Sequence, residues 1–146
     1  MKNIITSMFA LTLLFTSAFA ADPIMVDNAW IRSAPPNAKV LAAYMTIINH
    51  SDKPITLTVV SSSKFSNIEM HKTEIHGDTM KMIHQKQLNI PAQRSLILKP
   101  GEYHLMLMKP KSVPQVGESV DMELHFDNGQ ILHIKVPIAT HNGYDK

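Results

Sequence analysis

Beyond residue 20, no stretch of this chain holds a helical period for long. Val, Ile, Leu and Thr recur instead in short runs, each cut off by Pro, Gly, Asn, Asp or Ser. Branched side chains suit a pleated, half-buried surface, and a proline cannot donate to a ladder. A chain patterned this way has to fold as strands joined by turns. Pro23 to Arg32, Val40 to Asn49 and Ile55 to Ser61 read as the first three strands, with Ile55, Leu57 and Val59 alternating against Thr56 and Thr58. The serines at 61–63 lead into a strand carrying His71, whose hairpin partner follows Gly77-Asp78. Asn89 to Arg94 reads as loop, Ser95 to Leu98 as a short strand, and Lys99-Pro100-Gly101 as a tight reversal feeding a strand at His104. Lys109 to Glu118, which holds Pro110, Pro114 and Gly117, is another loop before the last hairpin. About nine short, mainly antiparallel strands at this spacing predict an all-β sandwich or barrel.

Two hairpins carry register arguments. Gly77-Asp78 is a two-residue turn signal, which pairs His71 with His84 and sets Met82 diagonally beside His71. In the last hairpin Val120, Met122, Leu124 and Phe126 form one apolar face, and Leu132, Ile134 and Val136 form the returning one. A two-residue Asn128-Gly129 turn would throw these sets onto opposite faces. A three-residue loop of Asp127, Asn128 and Gly129, with Gly129 left-handed, aligns them.

Met1 to Ala20 reads as a cleaved signal peptide. Lys2 supplies the positive start, an apolar run follows, and Ala18-Phe19-Ala20 is a small-x-small cleavage site. The run falls short of the ~20 apolar residues that a membrane span needs. The expected product is one exported domain over residues 21–146, with no stable membrane insertion. Lys and Arg number 14 against 12 Asp and Glu, so there is no electrostatic case for nucleic acid. Cysteine is absent, which excludes a disulfide framework, thiolate chemistry and the cysteine-dependent lipoprotein route.

The candidate chemistry lies between Glu69 and Lys109. Of the eight methionines after the leader, five fall here (Met70, Met80, Met82, Met106, Met108), with four of the eight histidines (His71, His76, His84, His104). Side chains two residues apart on a strand share a face, so His104, Met106 and Met108 line up while Leu105 and Leu107 point the other way. The same parity sets Met80, Met82 and His84 with His71, and turns Met70 inward. A lone Met on a strand is more often packing than ligand. Clustered with imidazoles, it points to a soft metal: thioether selects monovalent copper, whereas zinc sites draw on Cys, His and carboxylate. Met80, His84 and Met108 share the ligand face as reserve ligands, transfer partners or pocket walls. Trp30 and Tyr44 are expected in the core. His125 and His133 are expected to face solvent, and His50 and His141 to be solvated.

His71, ten residues, Met82, twenty-one residues, His104, one residue, Met106 reproduces the His-x10-Met-x21-His-x-Met pattern of the PCu(A)C copper chaperones, and the chain resembles that family. Ala29-Trp30-Ile31-Arg32, Ala42-Ala43-Tyr44-Met45, Glu69-Met70-His71 and Phe126-Asp127-Asn128-Gly129 match further landmarks. One departure is Gly101-Glu102-Tyr103, where the family tends to have a Gly-Gly pair. The resemblance implies a cupredoxin-like β-sandwich in the periplasm, a monomer that binds Cu(I) through His71, Met82, His104 and Met106. It further implies delivery to a copper-acceptor protein, a cytochrome c oxidase subunit or another assembly chaperone.

Rival readings are narrower. A blue-copper electron carrier needs a Cys thiolate, and a copper monooxygenase an N-terminal His, whereas the expected mature chain begins Ala21-Asp22-Pro23. No catalytic motif stands out, so an enzyme is not expected. Periplasmic sequestration would use the same four ligands. A structural or adhesive sandwich would make the Met row either mere packing, which predicts buried Met82 and Met106, or a Met-rich contact surface for a protein partner.

Overall fold

The computed structural model describes residues 23–140, so the leader expected at 1–20 and His141 lie outside it. Its ten strands are β1 (Ile24–Arg32), β2 (Val40–Asn49), β3 (Ile55–Ser61), β4 (Phe65–His76), β5 (Thr79–Gln85), β6 (Leu88–Ile90), β7 (Arg94–Leu98), β8 (Tyr103–Pro110), β9 (Ser119–Phe126) and β10 (Ile131–Ala139). They hydrogen-bond in the order β5-β4-β8-β2-β1-β10-β9-β3-β6, with β7 also on β2. The β1–β10 pairing alone is parallel, setting Ile31 beside Ile138 and Arg32 beside Ala139. Strands β8 and β9 are far apart on this path, yet Leu105 and Leu107 share one core with Val120, Met122 and Leu124. The sheet therefore folds over on itself, and its two halves face each other as an all-β, cupredoxin-like sandwich.

Both register expectations hold. His71 pairs with His84 and His76 with Thr79 around the Gly77-Asp78 turn. In the last hairpin Leu124 faces Leu132, Met122 faces Ile134 and Val120 faces Val136. There Gly129 has φ +83°, its N–H donates to Phe126 O at 3.0 Å, and the Phe126 N–H donates to Gln130 O at 3.0 Å. That geometry is a three-residue loop with a left-handed glycine. Trp30, Tyr44 and Met70 are buried as expected.

Three expectations fail, each for a local reason. Asn89 and Ile90, expected as loop, belong to β6: Ile90 pairs with Ile55 and Leu88 with Leu57, which buries both side chains before Pro91 ends the ladder. Val59 does not continue the inward alternation. Register slips between Leu57, opposite Phe126, and Val59, opposite His125; the bulge leaves Val59 53% exposed and turns Val60 inward. Finally, Lys99-Pro100-Gly101 is a jog and not a reversal, because β7 and β8 both run antiparallel to β2. Gly101 at φ +83° lets the chain sidestep and resume its direction.

A fourth irregularity has no counterpart in the sequence reading. Register in β1 slips between Asp27 and Trp30 at Asn28, whose φ of +49° is a conformation that Asn tolerates better than most residues. Past this bulge Trp30 lies opposite Tyr44, and the rings sit 4.8 Å apart.

Candidate metal centre

Three adjacent strands, β5, β4 and β8, carry the site. His71 on β4 lies directly opposite His104 on β8 and His84 on β5. One step along β4, Glu69 is opposite Met106; one step the other way, Thr73 is opposite Met82. Between these positions on the reverse face, Met70, Leu105 and Leu107 are buried, so the apolar core fixes the strands that present the donors.

The two inner imidazoles are each held by one nitrogen. His104 is buried, with Nδ1 3.0 Å from Glu102 O. A carbonyl can only accept, so Nδ1 carries the proton and Nε2 keeps its lone pair in the neutral ring. The same carbonyl accepts the Thr73 N–H at 3.1 Å, tying the jog to β4. His71 is buried as well, with Nε2 2.9 Å from Glu69 Oε2. The Glu69 carboxyl is held below its ordinary value, chiefly by this hydrogen bond, with burial opposing. An ionised carboxylate accepts, so the proton belongs on Nε2, and the neutral ring leaves its lone pair on Nδ1. His71 Nδ1 is one of two buried side-chain nitrogens among the described residues without a hydrogen-bond partner; Trp30 Nε1 is the other. An unsatisfied buried polar atom costs about 1–3 kcal/mol, and a metal ion at Nδ1 would remove that penalty. Imidazoles tied to an oxygen acceptor at one nitrogen and open at the other have the form that metal ligands take.

The thioethers complete the picture. Met82, His104 and Met106 line one pocket of ≈ 390 Å³, with Met80, Thr73 and Tyr44 also on its wall. Met82 is 56% exposed and Met106 partly so, which is not how packing methionines behave. His71 flanks the pocket, its ring centroid 5.9 Å from that of His104. Among the described residues, no three His, Cys, Asp or Glu side chains are placed to hold a metal by themselves.

Of the three residues with open roles, Met80 shares the pocket and is exposed. His84 stands edge-on to His71, ring centroids 5.6 Å apart. Met108, opposite Asn67 and Val40, lies farther along β8 and off the pocket wall. His76, near Glu74 at the hairpin tip, is exposed and does not line the pocket. Sequence reasoning did not single out Glu69 as a functional residue, although its parity with His71 was there to be read. At the far end of the pocket Arg32 lies over the Trp30 and Tyr44 rings, at 5.9 and 5.7 Å. Burial raises the Tyr44 hydroxyl above its ordinary pKa, and the Arg32 charge partly offsets it.

A model of the family described as "Putative lipoprotein LpqE-like" matches residues 24–138. The chain belongs to the LpqE-like family. A protein of Leifsonia xyli subsp. xyli described as "Putative lipoprotein Lxx21020" is 28% identical over 124 residues, 84% of this chain and 74% of its own length. One from Rickettsia prowazekii is 31% identical over 106 residues, 72% of this chain and 59% of its own length. The LpqE-like chain thus spans only part of both relatives. Among solved structures it is similar to the copper-bound PCuAC domain from PmoF2, at TM-score 0.70 and 20% identity, covering 84% of this chain and 97% of that one. That likeness establishes the fold. It is also similar to the Cu(I) form of DR1885 from Deinococcus radiodurans, at TM-score 0.65 and 31% identity, covering 85% and 83%. The LpqE-like chain therefore has the PCuAC-like fold, and the four residues of the His-x10-Met-x21-His-x-Met pattern fall on β4, β5 and β8 of it.

Proposed function

We propose that this LpqE-like protein is an exported metallochaperone that binds one Cu(I) ion through His71, Met82, His104 and Met106 and passes it to an acceptor protein. The observation that carries the reading is the donor set itself: two buried imidazoles with lone pairs free, adjoining a pocket lined by two thioethers that the core does not use. Two thioethers and two neutral imidazoles make up the donor set, so no ligand has to lose a proton. The Cu(I) form of DR1885, similar over most of the chain, supports the choice of metal. Exposed, weakly binding sulfur suits release, because an incoming donor can displace it without opening the core.

On this reading the leader at 1–20 directs the domain at 21–146 to the periplasm. There it works as a monomer, and its acceptor is the copper centre of cytochrome c oxidase or another assembly chaperone. The protein acts by binding and exchange and not as an enzyme. The test is a Cu(I) titration against a chromophoric competitor under anaerobic, reducing conditions, run beside Met82→Leu combined with Met106→Leu. These swaps nearly conserve volume and should cost under about 1.5 kcal/mol in stability. One tight equivalent, lost in the folded double variant, is the expected result. Unchanged binding would return the Met row to packing or to a contact surface.

A further inference from the structure

We propose that His84 is the exchange ligand through which copper leaves the site, a role that rests on the copper-binding reading above. His84, His71 and His104 form one row across three adjacent strands, and that row runs from inside to outside. His104 and His71 are buried, whereas His84 is exposed on β5, the last strand on its side of the sheet. The row is graded in tethering too. His104 is fixed by Glu102 O and His71 by the Glu69 carboxylate, but the His84 ring makes no hydrogen bond among the described residues. An exposed, untethered ring changes rotamer within picoseconds to nanoseconds, so presenting it to a metal has little kinetic cost. The His71 and His84 centroids are already 5.6 Å apart, within reach of one ion after a side-chain rotation.

The three imidazoles do not form a three-residue metal set as they stand, and in the proposed exchange His71 and His104 are the resident pair and His84 is the exchange ligand. The step assigned to it is an associative exchange. A Cu–N bond to His84 forms while one bond to a buried imidazole breaks. A neutral imidazole replaces a neutral imidazole, copper stays Cu(I), and neither proton nor electron moves. Met82, 56% exposed and two residues along the same strand, then provides a soft donor next to His84 at the sheet margin, with Met80 farther along. Without such a station, release to an acceptor would require the buried, tethered pair to give up copper directly.

The experiment loads the full chain with Cu(I) and mixes it, in stopped flow, with excess of a bidentate chromophoric Cu(I) chelator, for the parent, His84→Gln and His84→Met. Removing the exchange ligand should slow transfer by roughly tenfold or more, equivalent to about 1.4 kcal/mol on the barrier, while the equilibrium Kd stays within about threefold. His84→Met, which restores a soft donor, should recover most of the rate. An unchanged rate in His84→Gln would overturn the proposal, because copper would then leave by another path. A tenfold or greater loss of affinity would overturn it as well, by making His84 a resident ligand. A parent protein that takes up no Cu(I) would sink the copper-binding reading itself.

Discussion

Replacing Glu69 tests whether the copper site is organised before the metal arrives. Its carboxylate oxygen is 2.9 Å from His71 Nε2, and this contact selects the tautomer that leaves Nδ1 open. Glu69→Leu removes the acceptor outright, whereas Glu69→Gln keeps an oxygen that can still accept and removes only the charge. Partners that orient a metal-binding histidine typically change affinity by about 10–100-fold when lost. The Glu69 side chain is 32% exposed, so solvent screens part of its charge, and we expect the lower end, about tenfold, for Glu69→Leu. Glu69→Gln should lose less, because the tautomer survives. The assay is Cu(I) competition titration of parent and variants, paired with imidazole nitrogen NMR of the copper-free proteins. The parent should show the proton on His71 Nε2, and the Leu variant a mixture of tautomers. Parent-like affinity in Glu69→Leu with a redistributed tautomer would refute the argument, since the tautomer would then have no bearing on binding.

Two further outcomes concern the scaffold. Leu107 is fully buried on β8 between Ile68 and Leu41, so Leu107→Ala should cost about 2–5 kcal/mol in urea unfolding while the folded fraction retains its Cu(I) affinity. A loss under 1 kcal/mol would mean that β8 is not anchored by its inner face. Asp127, in the last hairpin loop, accepts the Thr56 N–H at 3.0 Å, and that bond first of all holds its carboxyl below the ordinary value of 3.8. A depressed folded pKa contributes stability that is complete above the unfolded value and fades as pH falls through the folded one. Asp127→Asn should therefore be less stable than the parent at pH 7, with the gap closing below about pH 4. Urea midpoints at pH 7 and pH 3 check this, and a constant gap would contradict it.

Parity made much of the site legible. Because side chains two apart on a strand share a face, the sequence alone separates His104 and Met106 from Leu105 and Leu107, and Met70 from His71. Turn chemistry supplied the rest of the register: the Gly77-Asp78 turn set His71 against His84, and the Gly129 loop aligned the last hairpin. What parity cannot see is a place where it is broken. Val59 and Val60 are chemically alike, so nothing in the sequence says which one the bulge turns outward. Leu88-Asn89-Ile90 alternates correctly but is too short to distinguish from a loop that ends at Pro91. The jog at 99–102 reads like a hairpin because Pro-Gly marks a turn without saying how far the chain turns. Only the pairing of both β7 and β8 with β2 resolves it.

That jog also explains why the site can be open and ordered together. A hairpin at Lys99-Pro100-Gly101 would have sent the chain back along β7, away from β4. By sidestepping and keeping its direction, the chain places β8 between β2 and β4, and brings the Glu102 carbonyl to both the Thr73 N–H and His104 Nδ1. One backbone oxygen thus joins the strand of the first histidine to the ring of the second. The His71–His104 row is fixed by the Glu69 carboxylate, by the Glu102 carbonyl and by the leucines beneath it, none of which needs the metal. Met82 and its neighbours Met80 and His84 on β5 are exposed and lie outside the core. The imidazoles of His71 and His104 and the Met106 thioether are presented from β4 and β8 inside the sheet, and the Met82 thioether from β5 at its margin.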